Sequence, residues 1–227
     1  MQAEMPVQRV LPARRTRLLA TAVLLPALLG LAGCQSAYYA AWEKLGYEKR
    51  DILTSRVEDA RDAQQDAKET VVSALEAFSK TVNFSGGELE DQYARLKGQL
   101  ERSDAAATDV RERVDKVEST GEALFREWKA ELGNYTNADL KARSAAEMDN
   151  TRVRYDRMIV AMRKARDRLE PALRPLRDQV LFLKHNLNAR ALSSIKGEVA
   201  KVDAEVDKLI SDVNRSVEEA NRFIKEL

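Results

Sequence analysis

The chain has 227 residues, 38 of them Lys or Arg, 37 Asp or Glu, with one His and one Cys. A formal net charge of +1 spread over so many ions supplies no positive field, which disfavours nucleic acid as a partner. A single thiol excludes an intrachain disulfide, and one imidazole with one thiol cannot assemble the three or four ligands of a zinc site.

The N-terminal segment is expected to be an export signal. Arg9, Arg14, Arg15 and Arg17 stand against Glu4 alone, which leaves the remainder of the chain with a net charge of −2. An apolar run from Leu18 to Leu31 follows, interrupted by Pro26 and Gly30. It is too short to span the roughly 30 Å hydrocarbon layer, but it suits the core of a cleaved signal. The run closes on Leu31-Ala32-Gly33-Cys34, which resembles the lipobox of bacterial lipoproteins. The resemblance implies cleavage between Gly33 and Cys34, a diacylglycerol on the Cys34 thiol, and a further acyl chain such as palmitate on the new N-terminus. Two or three acyl chains hold a protein stably on a bilayer, each buried methylene contributing about 0.8 kcal/mol. Gln35 follows the cysteine where an aspartate would signal inner-membrane retention, so the periplasm-facing leaflet of the outer membrane is the expected address.

Tyr38, Tyr39 and Trp42 come next, then Tyr47. Amphipathic rings so close to a lipid suit a membrane-interface collar, although closing the end of a helical bundle is the more ordinary use for them.

From residue 34 the chain reads as one helical-bundle domain, 34–227. Ala, Glu, Lys, Arg and Leu dominate, and the only prolines are Pro171 and Pro175. Apolar residues recur at alternating spacings of three and four in four runs, which predict helices over about 36–82, 88–132, 138–185 and 189–227. The last run is clearest: Leu192, Ile195, Val199, Val202, Val206, Leu209, Val213, Ala220 and Phe223, with Ser216 a lapse. The other runs have lapses too, at Gln64, Ser103 and Gly121.

Asn83-Phe84-Ser85-Gly86-Gly87 is the first turn, with Ser85 the expected cap of the second helix. Gly133 to Asn137 is the next, Asn137 capping the third helix, and Asn186-Leu187-Asn188 the last. Pro171 and Pro175 fall inside the third run and predict a kink or short break near Glu170. The fold class is therefore all-α: an elongated antiparallel bundle or coiled coil of about four long helices, the third kinked near Pro171–Pro175. At 1.5 Å per residue the helices should be roughly 60–75 Å long.

Two segments are candidate interaction surfaces. The third helix carries nine basic residues between Arg152 and Arg177, Arg163 and Arg166 among them, opposed only by Asp156, Asp167 and Glu170. They suit an anionic dock. The more ordinary reading is neutralisation of acidic neighbours: Glu112, Asp115, Glu118 and Glu122 on one side, Glu58, Asp59, Asp62 and Asp66 on the other. The second segment, Asp178 to Ala189, is the densest apolar stretch and includes Leu181, Phe182, His185 and Leu187. Exposure of these apolar residues would mark a docking or oligomerising surface, whereas burial would mark bundle core. His185, at a helix end, is expected to complement the helix dipole rather than to act as a ligand or base. No nucleophile, carboxylate pair or phosphate-cradling loop accompanies it, so neither an enzyme nor a cofactor is expected. Met158 and Met162 hint at an apolar ligand, but core filling is their ordinary role.

Cys34-Gln35-Ser36-Ala37-Tyr38-Tyr39, Lys49 to Leu53, Arg56 to Gln65, Ala123 to Phe125 with Trp128, and Asp178 to Ala189 together resemble a family of Gram-negative lipoproteins known as a domain of unknown function. That resemblance implies a coiled-coil envelope lipoprotein without an established activity. The expected role is a lipid-anchored, periplasm-facing structural or adaptor rod. The membrane is one partner and an envelope protein another, homo-oligomers are admitted, and no metal is used.

Overall fold

A computed structural model describes residues 49–227. The signal segment, the processing site at Gly33 and Cys34, and the aromatics Tyr38, Tyr39, Trp42 and Tyr47 lie outside the described residues, as does the expected start of the first helix before Lys49.

The described residues form five α-helices, one 3-10 turn and no strand. They are α1 (Lys49–Val82), α2 (Leu89–Glu131), the 3-10 turn Leu132–Asn134, α3 (Ala138–His185), α4 (Ala189–Ile195) and α5 (Glu198–Glu226). The neighbours around the bundle are α1 with α2, α2 with α3, α3 with α5, and α5 with α1, so α1 and α3 lie across a diagonal. At 1.5 Å per residue the 43 residues of α2 extend about 65 Å.

A single apolar core joins the four long helices. Leu53, Val57, Val71 and Phe78 of α1, Leu96, Val110 and Val114 of α2, Met158, Met162, Leu169 and Leu176 of α3, and Val202, Leu209 and Val213 of α5 are all within one per cent of complete burial. These are the three-four positions of the sequence. Their period matches one helix face, so burying them aligns all four helices.

The lapses in that period turn out to be matched to one another. Gln64 is 1% exposed, donates from Nε2 to the Met162 carbonyl at 2.8 Å, and accepts at Oε1 from the Ser216 hydroxyl at 2.5 Å. Two polar interruptions on α1 and α5 therefore satisfy each other inside the core, as buried polar groups must. Ser103 returns its hydroxyl to the Gln99 carbonyl at 3.0 Å. Gly121 lies under the ring of Tyr155, in the place a larger side chain would fill.

Helix ends follow local chemistry, with two departures from expectation. Asn137 caps α3 by accepting from the Leu140 N–H at 3.0 Å, and Asn188 caps α4 by accepting from Ala191 N–H at 3.0 Å. Ser85 does not cap α2. That helix starts at Leu89 behind Glu88, which makes no side-chain cap bond. Gly86 and Gly87 intervene at φ values of 91° and 96°, reversing the chain after Ser85 and carrying it out of reach. The expected helix 189–227 is likewise two helices, α4 and α5, parted at Lys196–Gly197. Both residues keep right-handed helical angles, so a short turn that does not reverse the chain parts the two helices.

Of the kink or short break expected near Glu170, the break does not occur: α3 runs continuously through Pro171 and Pro175. Each proline removes one backbone donor. Leu169, Ala172, Leu173 and Leu176 around them are at most 1% exposed, and this packing holds the helix together where isolated propensity would end it.

Candidate interaction surface

The basic character of α3 comes from its contacts with α2 on one side and α5 on the other. Arg163 bonds Glu118 of α2 at 2.7 Å, Arg166 reaches Asp115 at 3.3 Å, and Arg177 holds Asp104 at 2.7 Å. On the α5 side, Lys164 and Arg168 grip Asp212 at 2.7 and 3.1 Å, and Arg154 lies 3.8 Å from Glu226. Of the acids expected on α2, Asp115 and Glu118 meet α3 and Glu112 and Glu122 do not; Asp104, outside the expected set, joins them. Those of α1 do not meet it, because α1 lies diagonally from α3; Asp59 instead faces Arg113 at 3.7 Å. Charge pattern alone does not distinguish α5 from α1 as the flanking neighbour.

These contacts leave an electrostatic signature. A hydrogen bond from Arg163 holds the Glu118 carboxyl below its ordinary value, and one from Arg177 does the same for Glu170. Burial works against ionisation of Asp212, yet Lys164 and Arg168 together outweigh it and keep the group more acidic than usual. Arg163 and Arg166 are therefore committed to acid partners within the chain. Tyr155 is shifted upward, chiefly by burial and next by the Glu118 charge.

Beside its charged residues, the outside of α3 carries apolar side chains that the bundle does not cover. Among the described residues the large exposed apolar side chains are Tyr135, Leu140, Val153, Val160, Leu181 and Phe182, and all but Tyr135 belong to α3. Leu181 is 61% and Phe182 39% exposed, Leu187 is half-buried, and His185 is exposed. Leu183, between them in sequence, is fully buried, so the densest apolar segment divides between core and surface. His185 makes no hydrogen bond or ion pair with any described residue. Among the described residues no three His, Cys, Asp or Glu side chains gather as a metal-holding group, and no helix is long and apolar enough to cross a membrane.

Grooves beside α3 have mixed linings. One of about 360 Å³ has Phe125 and Met148 with Glu122, Arg126, Asp149 and Arg152 around it; Arg152 also stacks its guanidinium 5.0 Å from the Phe125 ring centre. A second, about 270 Å³, lies between α3 and α5 where Arg157, Val160 and Lys164 face Asp212, Arg215 and Glu219.

A model of a protein family of unknown function, DUF2959, matches residues 38–227. The chain belongs to the DUF2959 family. The match takes in every described residue, so the bundle and the exposed face of α3 are parts of the DUF2959 domain itself. No curated protein matches the chain.

Proposed function

We propose that this DUF2959 chain is a non-catalytic, lipid-anchored helical rod, a structural or adaptor element facing the periplasm from the outer membrane. Leu31-Ala32-Gly33-Cys34 and the arginines before it support the anchor, with Cys34 carrying the acyl groups. The four-helix core, which gives the chain stiffness over about 65 Å, supports the mechanical role. The observation that carries the adaptor role is the concentration of unmatched apolar side chains on α3, ending in Leu181 and Phe182. Scattered apolar residues are ordinary on a protein surface, but a set confined to one helix marks a contact surface.

The same exposure favours a narrower second reading, in which the end of α3 makes the chain an oligomerising or docking subunit of an envelope complex. Both readings are tested in the intact protein in its own envelope, with a photo-crosslinking side chain at Leu181. Adducts are expected, and they should vanish on Phe182→Ser without any fall in melting temperature. A crosslinker at Leu181 that captures nothing but lipid and water contradicts both.

A further inference from the structure

The end of the bundle where α1 begins leaves two large side chains half-uncovered. Lys49, the first residue of α1, bonds Glu127 near the end of α2 at 2.6 Å, so the start of α1 and the α2–α3 connection share one end. That connection is held on both sides. The Trp128 indole N–H of α2 donates to the Ser144 hydroxyl of α3 at 2.9 Å, and Asn137 caps α3. Tyr135 in the connection is 42% exposed, and Leu140 in the first turn of α3 is 51% exposed. Both sit on backbone that the cap and the indole bond fix in place.

Single exposed apolar residues are ordinary, so it is their position that decides. Residues 35–48 separate Lys49 from Cys34, and an extended chain covers at most about 3.6 Å per residue. The start of α1, and with it this end of the bundle, therefore stays within about 50 Å of an acylated Cys34, while Lys184 lies about 65 Å along α3 from Leu140. The charges around the connection nearly cancel: Lys129, Lys141 and Arg143 stand against Glu131 and Asp139. Little field is left to attract a charged protein or a polyanion. A bilayer interface needs none. A tyrosine ring lies at headgroup level with its hydroxyl in water, and a leucine enters the acyl boundary.

We infer that the α2–α3 connection is a second membrane contact, with Tyr135 and Leu140 seated in the interface of the leaflet that holds Cys34. The inference rests on the lipid-anchored reading above and adds a surface to it. Two side chains are too small a contact to bind a bilayer alone; the acyl tether supplies the local concentration at which they do. Two attachments at one end orient the rod, directing Leu181 and Phe182 at the far end of α3 away from the leaflet. The balance of charge makes the contact indifferent to salt.

The test uses the acylated full chain in vesicles of phosphatidylethanolamine and phosphatidylglycerol, acylation occupying the only native thiol. Thr136→Cys and Lys184→Cys, both at exposed positions, each carry a fluorescent probe, and quenching by nitroxide-labelled lipid is read. Quenching is expected at position 136, unchanged by raised salt, and not at position 184. Adding Tyr135→Ser and Leu140→Ser should remove most of it, with the melting temperature and the flotation of the protein with the vesicles unchanged. Protein that floats with the vesicles but shows no quenching at position 136 overturns the second contact and leaves the anchor standing. Equal quenching at both positions, or quenching that survives the two serines, overturns it as well. A probe at position 136 shielded from aqueous iodide yet untouched by lipid nitroxide would assign the cover to protein, either residues 35–48 or a partner, and overturn it too. Protein that fails to float overturns the anchored reading and this inference with it.

Discussion

The ring of Tyr155 on α3 occupies the space above Gly121 on α2 where a larger side chain would have to go. Phe125 and Phe223 meet the same ring edge-on, with centroid separations of 5.4 and 6.1 Å. A residue that looks like a flaw in a helical repeat is thus the socket for an aromatic cluster joining α2, α3 and α5.

Gly121→Ala should therefore destabilise the fold. Ala gains up to about 1 kcal/mol in helix propensity over Gly, but crowding a packed core costs typically 1–3 kcal/mol. A lowered melting temperature is expected. With Tyr155→Leu already in place the further loss should shrink, because the two positions share one volume. An additive double variant would mean that they do not compete.

The buried pair Gln64 and Ser216 gives a second test. Ser216→Ala leaves the Gln64 carbonyl oxygen without its 2.5 Å donor, a loss of roughly 1–3 kcal/mol. Gln64→Leu combined with Ser216→Ala removes both needs together and should recover much of that loss in urea unfolding. A double variant as unstable as the sum of its parts would show that the pair is not an isolated unit.

Val202 is fully buried and Val206 1% exposed, so Val202→Asp or Val206→Asp places a carboxylate in the core of the bundle. A loss of several kcal/mol is expected, seen as loss of cooperative thermal unfolding near room temperature. A melting temperature equal to that of the unaltered protein would contradict the assignment of this seam as core.

Acid should weaken the bundle through the carboxylates that bind α3. Glu118, Glu170 and Asp212 are all more acidic folded than unfolded. Each therefore adds stability that is complete above the ordinary carboxylate value of about 4 and lost as pH falls through the lower folded value. Melting temperature should drop from neutral pH to about 3, and Glu118→Gln should make the drop smaller. A pH profile unaltered by Glu118→Gln would remove the Arg163 contact from the account.

Period and turn chemistry made much of this legible in advance. The three-four recurrence placed the four core seams, and Asn137 was readable as a cap because an Asx side chain can reach the third N–H beyond it. Ser85 misled because the two positive-φ glycines after it consume the chain that capping would have used. At the prolines only the break is excluded: their local cost is offset by the burial of Leu169, Ala172, Leu173 and Leu176, which a local rule does not include. The acid partners of α3 were half legible, since sequence identifies charges but not which helices are diagonal. Hydrophobic density alone marks Asp178–Ala189 as a candidate surface; only the packing of Leu183 inward separates Leu181 and Phe182 from the core.

The central claim, a rod held to a membrane through Cys34, is tested most directly by the mass of the N-terminal peptide of the protein isolated from its native envelope. The account predicts a peptide beginning at Cys34 and carrying diacylglycerol with a further acyl chain. A free Cys34 thiol, or a peptide still joined to Gly33, would contradict it.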